Sequence, residues 1–399
     1  MKKHSMKKKN YLFTLACCST LFACSPKQEN VKSDNANLIS INLENPKPLK
    51  ASELFDTIMY VPLETSDTYM FSRVSHLKVS DEKDFYFISD KSFFLFDGET
   101  GKGKLKISKL GNGPDGYASV FDSNVDSSTG EIELLDNNAK KIVVYDMEGN
   151  HKRSVSIPFM SFMFTKTGKD DYWLYNNNLM SDASDSKVVH LEINKGNMEE
   201  YDKIDKHLAE YFFIEDEKNL VADGEDILYH YSPSDTIYRI RPGKGMQAAY
   251  VLDMGKNLAP KDFYARNFRD IMEFVETANK NGYVFEIPAI SANDNTVAVA
   301  CIKEGKLYMT FHTKENGENV TFTTFHDNYN FSAPFSLDAS NLNFCMDNDC
   351  FYFIVTAEQL VECKNEDMNQ KKMENWMKSK NVTEFSNPIL VKCKFKSKK

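Results

Sequence analysis

The sequence feature that most constrains the fold is a repeated order of short strands and turns. Each copy runs from a strand ending in aspartate, through a polar turn, to a second strand ending in Phe-Asp or Tyr-Asp, and then through a glycine turn into an outer strand. The matching aspartates, Asp90 and Asp136, stand 46 residues apart. A period of about 40–50 residues with four strands is typical of a β-propeller blade. The paired strands of these two copies are residues 85–90 with 93–98, and 131–136 with 140–146.

Weaker copies of the same pattern follow and bring the total to six. Their strand pairs are residues 171–175 with 187–192, 227–231 with 235–240, 296–301 with 306–311, and 350–355 with 388–393. The residues from position 55 to the end allow about 57 residues for each of six blades, which leaves room for insertions. We therefore predict an all-β fold, a six-bladed β-propeller that occupies residues 41–399.

A further strand, residues 57–63, precedes the first full copy. We expect it to complete the last blade beside residues 389–394, which would close the ring and leave no strand edge unpaired. The composition agrees with a strand-rich chain, because 29 Phe and 19 Tyr stand against only 17 Gly. Aromatic residues favour strands, whereas few glycines argue against a glycine-rich nucleotide-binding scaffold.

Two segments break the strand pattern and predict short helical insertions. Residues 262–280 place Phe268, Ile271, Met272 and Val275 at helical spacing, which indicates an amphipathic helix. Residues 365–380 carry a weaker stripe of Met373, Trp376 and Met377. Each helix could pack its apolar stripe on the propeller or form a lid over the central pocket.

The amino terminus predicts export from the cytoplasm. Five lysines in the first nine residues precede an apolar run, residues 11–23, that is too short to span a membrane stably. The run ends in Leu-Phe-Ala-Cys at Cys24, followed by a polar segment. We predict a lipoprotein signal peptide over residues 1–23, lipid attachment at Cys24, and a polar tether over residues 24–40. The alternative is an ordinary cleaved signal.

The net charge of the chain indicates which classes of partner are expected. The chain carries a formal charge of −9 with a pI near 5.5, and nucleic-acid binders normally show a basic field instead, so no nucleic-acid partner is expected. Loss of the five signal-peptide lysines would take the charge to −14. Because anionic lipid surfaces repel an acidic protein, the acyl chains on Cys24 would have to hold it at the bilayer.

One run of residues resembles a known family. Lys109-Leu-Gly-Asn-Gly-Pro-Asp-Gly-Tyr117, with Asp136-Asn137 and Val144-Tyr-Asp-Met-Glu-Gly149, resembles the six-bladed β-propeller lipoproteins of Bacteroides-type gut bacteria and is similar to NHL-repeat propellers. The resemblance covers residues 41–397 and departs from the family at Asp115-Gly116. It implies the propeller fold and a lipid anchor. It implies no settled chemistry. Ser25 after Cys24 permits sorting to the outer membrane, so we expect an outer-membrane lipoprotein of the cell envelope that faces either the periplasm or the cell surface.

Two candidate chemistries meet objections in the sequence. Gly111-x-Gly113-x-x-Gly116 matches the dinucleotide fingerprint, but Pro114 interrupts it and no helical period follows. No two histidines stand at zinc-ligand spacing. No cofactor or metal site is therefore predicted, although calcium at the axial pore, bound by carboxylates such as Asp90 and Asp136, stays open. The alternative for both aspartates is the capping of a strand end in an Asx turn.

The cysteine spacing allows one disulfide, between Cys345 and Cys350, but does not require it. Cys345 and Cys350 flank four residues, and a two-residue turn at Asp347-Asn348 would bring their side chains opposite each other. The alternative is two free thiols packed as small apolar groups.

The sequence favours a non-catalytic binding module. A repeat scaffold without a catalytic constellation predicts a membrane-anchored extracytoplasmic propeller that binds a peptide, glycan or protein. The alternatives are a metal-dependent hydrolase or lyase acting at the propeller axis, and a structural subunit of a cell-envelope complex. No catalytic residue is assigned. The candidate ligand-binding residues, taken from the position of each in the repeat, are Gly111, Asn112, Gly113, Tyr117, Asp90, Asn137 and Lys140.

Overall fold

The computed structural model describes residues 36–397, apart from residue 112, residues 213–216 and residues 363–368. The predicted signal peptide, Cys24 and all but the end of the predicted tether lie outside the described residues. Within this part of the chain no helix is long and apolar enough to cross a membrane.

The two clearest repeats form antiparallel four-stranded sheets, as the sequence predicts. Both central strands of sheet 1 are buried on both faces, because each blade packs between two neighbours. Sheet 1 consists of Ser75–Val79, Phe85–Ser89, Ser92–Phe96 and Gly103–Ile107. Sheet 2 consists of Asp122–Asp126, Glu131–Asp136, Lys141–Asp146 and His151–Ser156.

The weaker repeats form sheets of the same kind. Sheet 3 consists of Met163–Gly168, Asp171–Tyr175, Ser186–Glu192 and Asn197–Lys203. Sheet 4 consists of Leu220–Asp223, Asp226–His230, Thr236–Arg241 and Gly245–Asp253, with Asn37–Ser40 added in parallel at its edge. Sheet 5 consists of Glu286–Ala292, Thr296–Lys303, Lys306–Thr313 and Asn319–Phe322. The strand Asn37–Ser40 therefore extends the folded region into the predicted tether.

The predicted number of blades is wrong, because the described residues form seven sheets and not six. Sheet 6 has three short strands, Leu49–Lys50, Thr324–Asp327 and Ala333–Ser336. Its members come from segments that show no copy of the repeat, and one of them lies far away in sequence, before sheet 1. Sheet 7 consists of Phe344–Met346, Cys350–Val355, Ile389–Phe395 and Phe55–Pro62.

The predicted closure of the last sheet is confirmed. Phe55–Pro62 pairs antiparallel with Ile389–Phe395, with Tyr60 opposite Val391. Tyr60 also donates a hydrogen bond of 2.7 Å to the buried carboxylate of Asp327, which ties this closing strand to sheet 6.

Six of the seven sheets place their innermost strands around a common axis, and sheet 6 contributes no lining residue to the pocket there. Those of sheets 1 to 5 neighbour one another in chain order, followed by that of sheet 7, which lies beside that of sheet 1. The parallel bridge from Lys218 to Ala289 shows that neighbouring inner strands run in the same direction. Long connections and turns therefore gather where the inner strands begin, and we call this side the loop face.

Helices are few and short, and most of them lie in loop-face connections. They are α1 Ala51–Leu54, α2 Lys206–Ala209, α3 Lys261–Tyr264, α4 Ile271–Lys280, α5 Ala357–Glu362 and α6 Gln370–Ser379. Single 3-10 turns occur at Ile193–Lys195, Gly255–Asn257 and Ala339–Leu342.

The first predicted helix is two helices. Asp270 accepts a hydrogen bond of 3.0 Å from the backbone N–H of Glu273, so its side chain caps α4 and starts the helix at the next residue. The buried residues of α4 are Phe274 and Ala278, whereas Met272 of the predicted stripe is 69% exposed. The predicted helix therefore exists in part. Phe268, Ile271 and Val275 of the predicted stripe are half-buried and pack against the core, and Met272 is the member of the stripe that does not.

The second predicted helix is confirmed as α6. Met373 and Met377 are buried, and the Trp376 ring lies 5.7 Å from the Tyr60 ring. Both insertions pack their buried residues into the hydrophobic core, and neither α4 nor α6 contributes a lining residue to the axial pocket described below.

Candidate functional site

The inner strands enclose a pocket of about 220 Å³ on the propeller axis. Every one of the six sheets around the axis contributes side chains to its wall. The polar and charged lining residues are His76, Lys78, Asn124, Thr165, Lys218, Ser291 and Cys345, with Tyr86 among the larger ones. The lining residues contributed by the described part of the chain include two lysines and no carboxylate.

Lys78 is held in place by a carboxylate behind the wall. Its Nζ lies 2.8 Å from Oδ1 of Asp122 and 2.8 Å from the backbone oxygen of Ser123. Asp122 is fully buried and accepts a further hydrogen bond of 3.0 Å from the backbone N–H of Phe164. Burial acts to raise the pKa of Asp122, but the nearby Lys78 ammonium and the His76 ring hold it well below its usual range. Asp122 therefore stays ionised and fixes the position of the lysine.

His76 is the strained residue of the pocket. Its backbone has φ of +54°, in the left-handed region that costs about 1–2 kcal/mol for a residue with a Cβ. The register of the strand shifts between Ser75 and Lys78, so the irregular stretch includes His76 and Leu77. Its Nδ1 lies 3.3 Å from Oδ1 of Asp122. Strain of this kind gathers at functional sites, where surrounding structure holds it.

Cys345 brings a neutral thiol to the same wall. Burial raises the pKa of the Cys345 thiol to about 12, against the opposing effect of the Lys218 and Lys78 charges. At neutral pH the thiol is protonated, and it is the thiolate that acts as a nucleophile. The position of Cys345 therefore supplies polar surface to the pocket rather than covalent chemistry.

The proposed disulfide is absent from the structure, where both cysteines are free. Cys345 pairs with Tyr352, and Cys350 lies opposite Asp347 across a turn formed by Asn348 and Asp349. The turn is thus one residue later than the disulfide required, and the two side chains are not opposite each other. The alternative of two free thiols is the one observed.

The two repeat aspartates serve the loop face as caps. Asp90 accepts hydrogen bonds from Ser72, of 3.1 Å from its N–H and 2.7 Å from its hydroxyl. Asp136 is fully buried and accepts in the same way from the backbone N–H groups of Ala118 and Ser119. Each aspartate joins the turn after the second strand to the connection that enters its own sheet. Asp136 also accepts a hydrogen bond of 3.1 Å from the backbone N–H of Ala139 within its own turn, whereas the described side-chain bonds of Asp90 come from Ser72 and Ser89.

The glycine segment forms a crossing between sheets 1 and 2. Gly111 has φ of +157° and Leu110 bridges to Tyr117 in parallel. The buried Tyr117 hydroxyl accepts from the N–H of Lys109 and lies 3.0 Å from the carbonyl oxygen of Ile107. Gly113 lies in the same crossing, and Asn112 falls outside the described residues.

Asn137 and Lys140 lie in the turn of sheet 2 on the loop face. Asn137 is 1% exposed, and neither polar atom of its side-chain amide has a hydrogen-bond partner. Lys140 is exposed with φ of +52°. These two residues and the other described candidates lie on the loop face, and none of them lines the axial pocket.

Sequence reasoning missed the axial residues. Lys78 and Lys218 are 140 positions apart and belong to different blades, so only the ring brings them together. Nothing in the residues next to either lysine indicated the other.

Sequence reasoning also missed Glu217, a buried carboxyl beside the axial strand of sheet 4. It is 2% exposed and accepts hydrogen bonds of 3.0 Å from the Tyr175 hydroxyl and 3.2 Å from the Asn219 amide. Burial raises the pKa of Glu217 to about 8, so this carboxyl is protonated at neutral pH.

Exposed apolar side chains concentrate on the loop face. Seven of the eleven large hydrophobic residues that are exposed in the described part of the chain lie there, namely Met70, Leu110, Leu179, Met180, Met272, Val361 and Phe385. Phe385 is the most exposed of them, at 80%. Scattered exposed hydrophobics are ordinary, but their concentration on one face indicates a surface suited to contact.

Comparison with known proteins agrees with this architecture. A family described as a domain of unknown function, DUF4934, matches residues 36–394. The crystal structure of a candidate exported protein from Bacteroides fragilis has a TM-score of 0.69 at 14% identity and covers 91% of this chain and 100% of that one. A member of the DUF4221 family from Bacteroides vulgatus has a TM-score of 0.53 at 12% identity, covering 86% and 97%. No curated protein matches the chain. At such identities the likeness establishes the fold.

Proposed function

We propose that this chain, which belongs to the DUF4934 family, is an extracytoplasmic β-propeller that binds a ligand without catalysing a reaction. The ligand is a peptide, a glycan or a protein, and its recognised group enters the axial pocket. The observation that carries the proposal is the pocket itself, whose wall combines side chains from six sheets. Concave sites with a few convergent polar groups are the usual places where proteins bind ligands.

The loop face supplies the second part of the proposed site. The crossing of Gly111, Asn112, Gly113 and Tyr117, and the turn residues Asp90, Asn137 and Lys140, would contact the part of a ligand that stays outside the pocket. The buried amide of Asn137 supports this assignment, because a buried polar group without a partner is costly and a ligand or water could satisfy it.

A steric block tests the axial site. Thr165 lines the pocket and is only partly buried, so Thr165→Phe would fill space without adding charge. Glycan and peptide arrays probed with the mature protein should show a set of ligands that this variant loses. Thr129→Phe, on an exposed turn of sheet 2, is the matched control and should keep them. Equal binding by both variants would contradict an axial site.

Metal analysis separates binding from metal-dependent catalysis. No group of three or more His, Cys, Asp and Glu residues in the described part of the chain is arranged to hold a metal ion. The protein would be incubated with calcium or zinc, desalted and analysed for metal. One equivalent of metal bound near the axis would favour the hydrolase or lyase alternative and count against the binding proposal.

We propose that Cys24 carries the lipid that holds the protein in the cell envelope, as an outer-membrane lipoprotein. The apolar run before Cys24 supports the signal, and the similar Bacteroides fragilis structure is that of a candidate exported protein. Cys24→Ala should move the protein from the membrane fraction to the soluble fraction of lysed cells. A variant that stays with the membrane would contradict lipidation at this residue.

The exposed apolar residues favour a second candidate function, a subunit of a cell-envelope complex. Phe385 and Met272 belong to different connections of the loop face, and both are largely exposed. A stable partner that copurifies in gentle detergent, and is lost from the Phe385→Ser and Met272→Ser double variant, would support this role.

A further inference from the structure

We infer that the axial pocket takes a carboxylate group of its ligand, held between the ammonium groups of Lys78 and Lys218. This inference rests on the proposed function and adds the chemical class of the group that enters the pocket. It covers an acidic sugar and an acidic peptide side chain alike, because the pocket would recognise the carboxylate that both carry.

The charges on the wall favour an anion. Lys78 lines the pocket from the inner strand of sheet 1 and Lys218 from just before the inner strand of sheet 4, and the described lining residues include no carboxylate. This is unusual in a chain with a net charge of −9. Two ammonium groups on one wall can draw an anion to that place, because low-dielectric walls strengthen the local field.

Lys78 is pre-oriented for such a contact. An ammonium group has three donors, and the hydrogen bonds to Asp122 and to the Ser123 backbone oxygen occupy two of them. The third donor remains for a ligand. Asp122 keeps the ammonium fixed, so binding would cost little side-chain entropy.

The rest of the wall adds neutral polar surface. Asn124, Thr165 and Ser291 line the pocket and carry donors that suit carboxylate oxygens. Cys345 is a protonated thiol, since burial raises its pKa to about 12, and it therefore adds no negative charge. The wall offers an anion donors without repelling it.

The size and charge of the pocket favour a single carboxylate. Its volume of about 220 Å³ corresponds to about seven water molecules at ~30 Å³ each. This space suits one end group, while drug-sized ligands usually need about 300–1,000 Å³. The ionised Asp122 lies directly behind Lys78, so a second negative charge on the ligand would face it. A monoanion avoids that repulsion.

The test uses the mature protein and paired probes that differ only in charge. D-glucuronate is compared with D-glucose, and N-acetylglutamate with N-acetylglutamine, in thermal-shift and titration calorimetry measurements at 50 mM and 500 mM NaCl. Inorganic phosphate serves as the dianion. At least one carboxylate probe should raise the melting temperature, its neutral counterpart should not, and the higher salt concentration should weaken binding.

Two variants separate a lost contact from a lost fold. Lys218→Met removes one ammonium group and should lower the affinity for the carboxylate probe at least tenfold. The Lys78→Met and Asp122→Asn double variant removes the ammonium group of Lys78 without leaving a buried carboxylate unpaired. It should lower the affinity for the carboxylate probe by a similar factor. Lys195→Met, in the exposed turn between the two outer strands of sheet 3, is the matched control and should leave affinity unchanged.

The outcomes divide clearly. A carboxylate probe that binds the wild type and the Lys195→Met control, but not the two pocket variants, supports the inference. If no carboxylate probe binds, if neutral counterparts bind as well, or if Lys218→Met binds equally, the inference is wrong. The array experiment with Thr165→Phe would then still decide on its own whether an uncharged group occupies the pocket.

Discussion

Glu217 gives a sharp prediction about stability and pH. The pKa of this carboxyl is raised to about 8 by burial, from an ordinary value of 4.5. Between these two values the folded state keeps a proton that the unfolded state releases, so the free energy of unfolding should fall as pH rises. One proton corresponds to about 1.4 kcal/mol per pH unit.

The perturbation is Glu217→Gln, which reproduces the shape of the protonated carboxyl. The amide oxygen can still accept from the Tyr175 hydroxyl and the Asn219 amide, and no proton has to be held. The variant should therefore gain stability relative to the wild type by about 1.4 kcal/mol for each pH unit from 5 to 8. The prediction concerns the difference in free energy of unfolding between the variant and the wild type, because other groups titrate in both proteins and change both values.

The assay is urea denaturation followed by tryptophan fluorescence at pH 5, 6, 7 and 8. Trp173 is fully buried in sheet 3 and should report its unfolding. Glu148→Gln, at an exposed turn of sheet 2, is the matched control and should track the wild type at every pH. A difference between Glu217→Gln and the wild type that stays constant from pH 5 to 8 would refute the reasoning, because Glu217 would then be ionised in the folded state.

Three further predictions concern the packing of the ring. Phe87→Ala should lower the free energy of unfolding by about 3–5 kcal/mol, because the ring is fully buried in sheet 1, and urea denaturation checks this. Tyr60→Phe should cost about 2 kcal/mol in the same assay, because Asp327 loses a buried hydrogen bond, and a loss below 0.5 kcal/mol would show that the bond is unimportant. Asp122→Ala should cost about 3 kcal/mol, since Lys78 is left partly buried without its partner, and adding Lys78→Met should recover much of that loss; no recovery would contradict the pairing.

The strand repeats could be predicted because each copy carries its own local signal. The aromatic run of Phe85–Ser89 predicts a buried strand, and Asp90 indicates the turn that follows. Closure by Phe55–Pro62 followed from the need to cover an open edge. The strands and turns depend on residues that are neighbours in sequence. The closure depends on the general rule that an exposed strand edge is paired or covered.

The seventh sheet could not be found in this way. Thr324–Asp327 and Ala333–Ser336 are four-residue strands outside the repeat, and their partner Leu49–Lys50 is about 275 residues earlier. The break before α4 was missed for a different reason. The apolar period continued across residues 265–270, but the capping side chain of Asp270 set the start of the helix.

The axial site was missed because it has no local pattern. The residues that stand out in the repeat, Asp90 and Asp136, serve to hold connections to turns. The residues that line the axis, such as Lys78 and Lys218, come one at a time from separate blades. Their proximity depends on the closed ring, and the sequence does not show it without the fold.

A crystal structure of the mature protein soaked with D-glucuronate tests the central claim most directly. The account predicts electron density for the carboxylate on the propeller axis, with one oxygen within hydrogen-bond distance of Nζ of Lys78 and another near Nζ of Lys218. Density confined to the loop face, or an axial pocket that holds only water at saturating glucuronate, would contradict it.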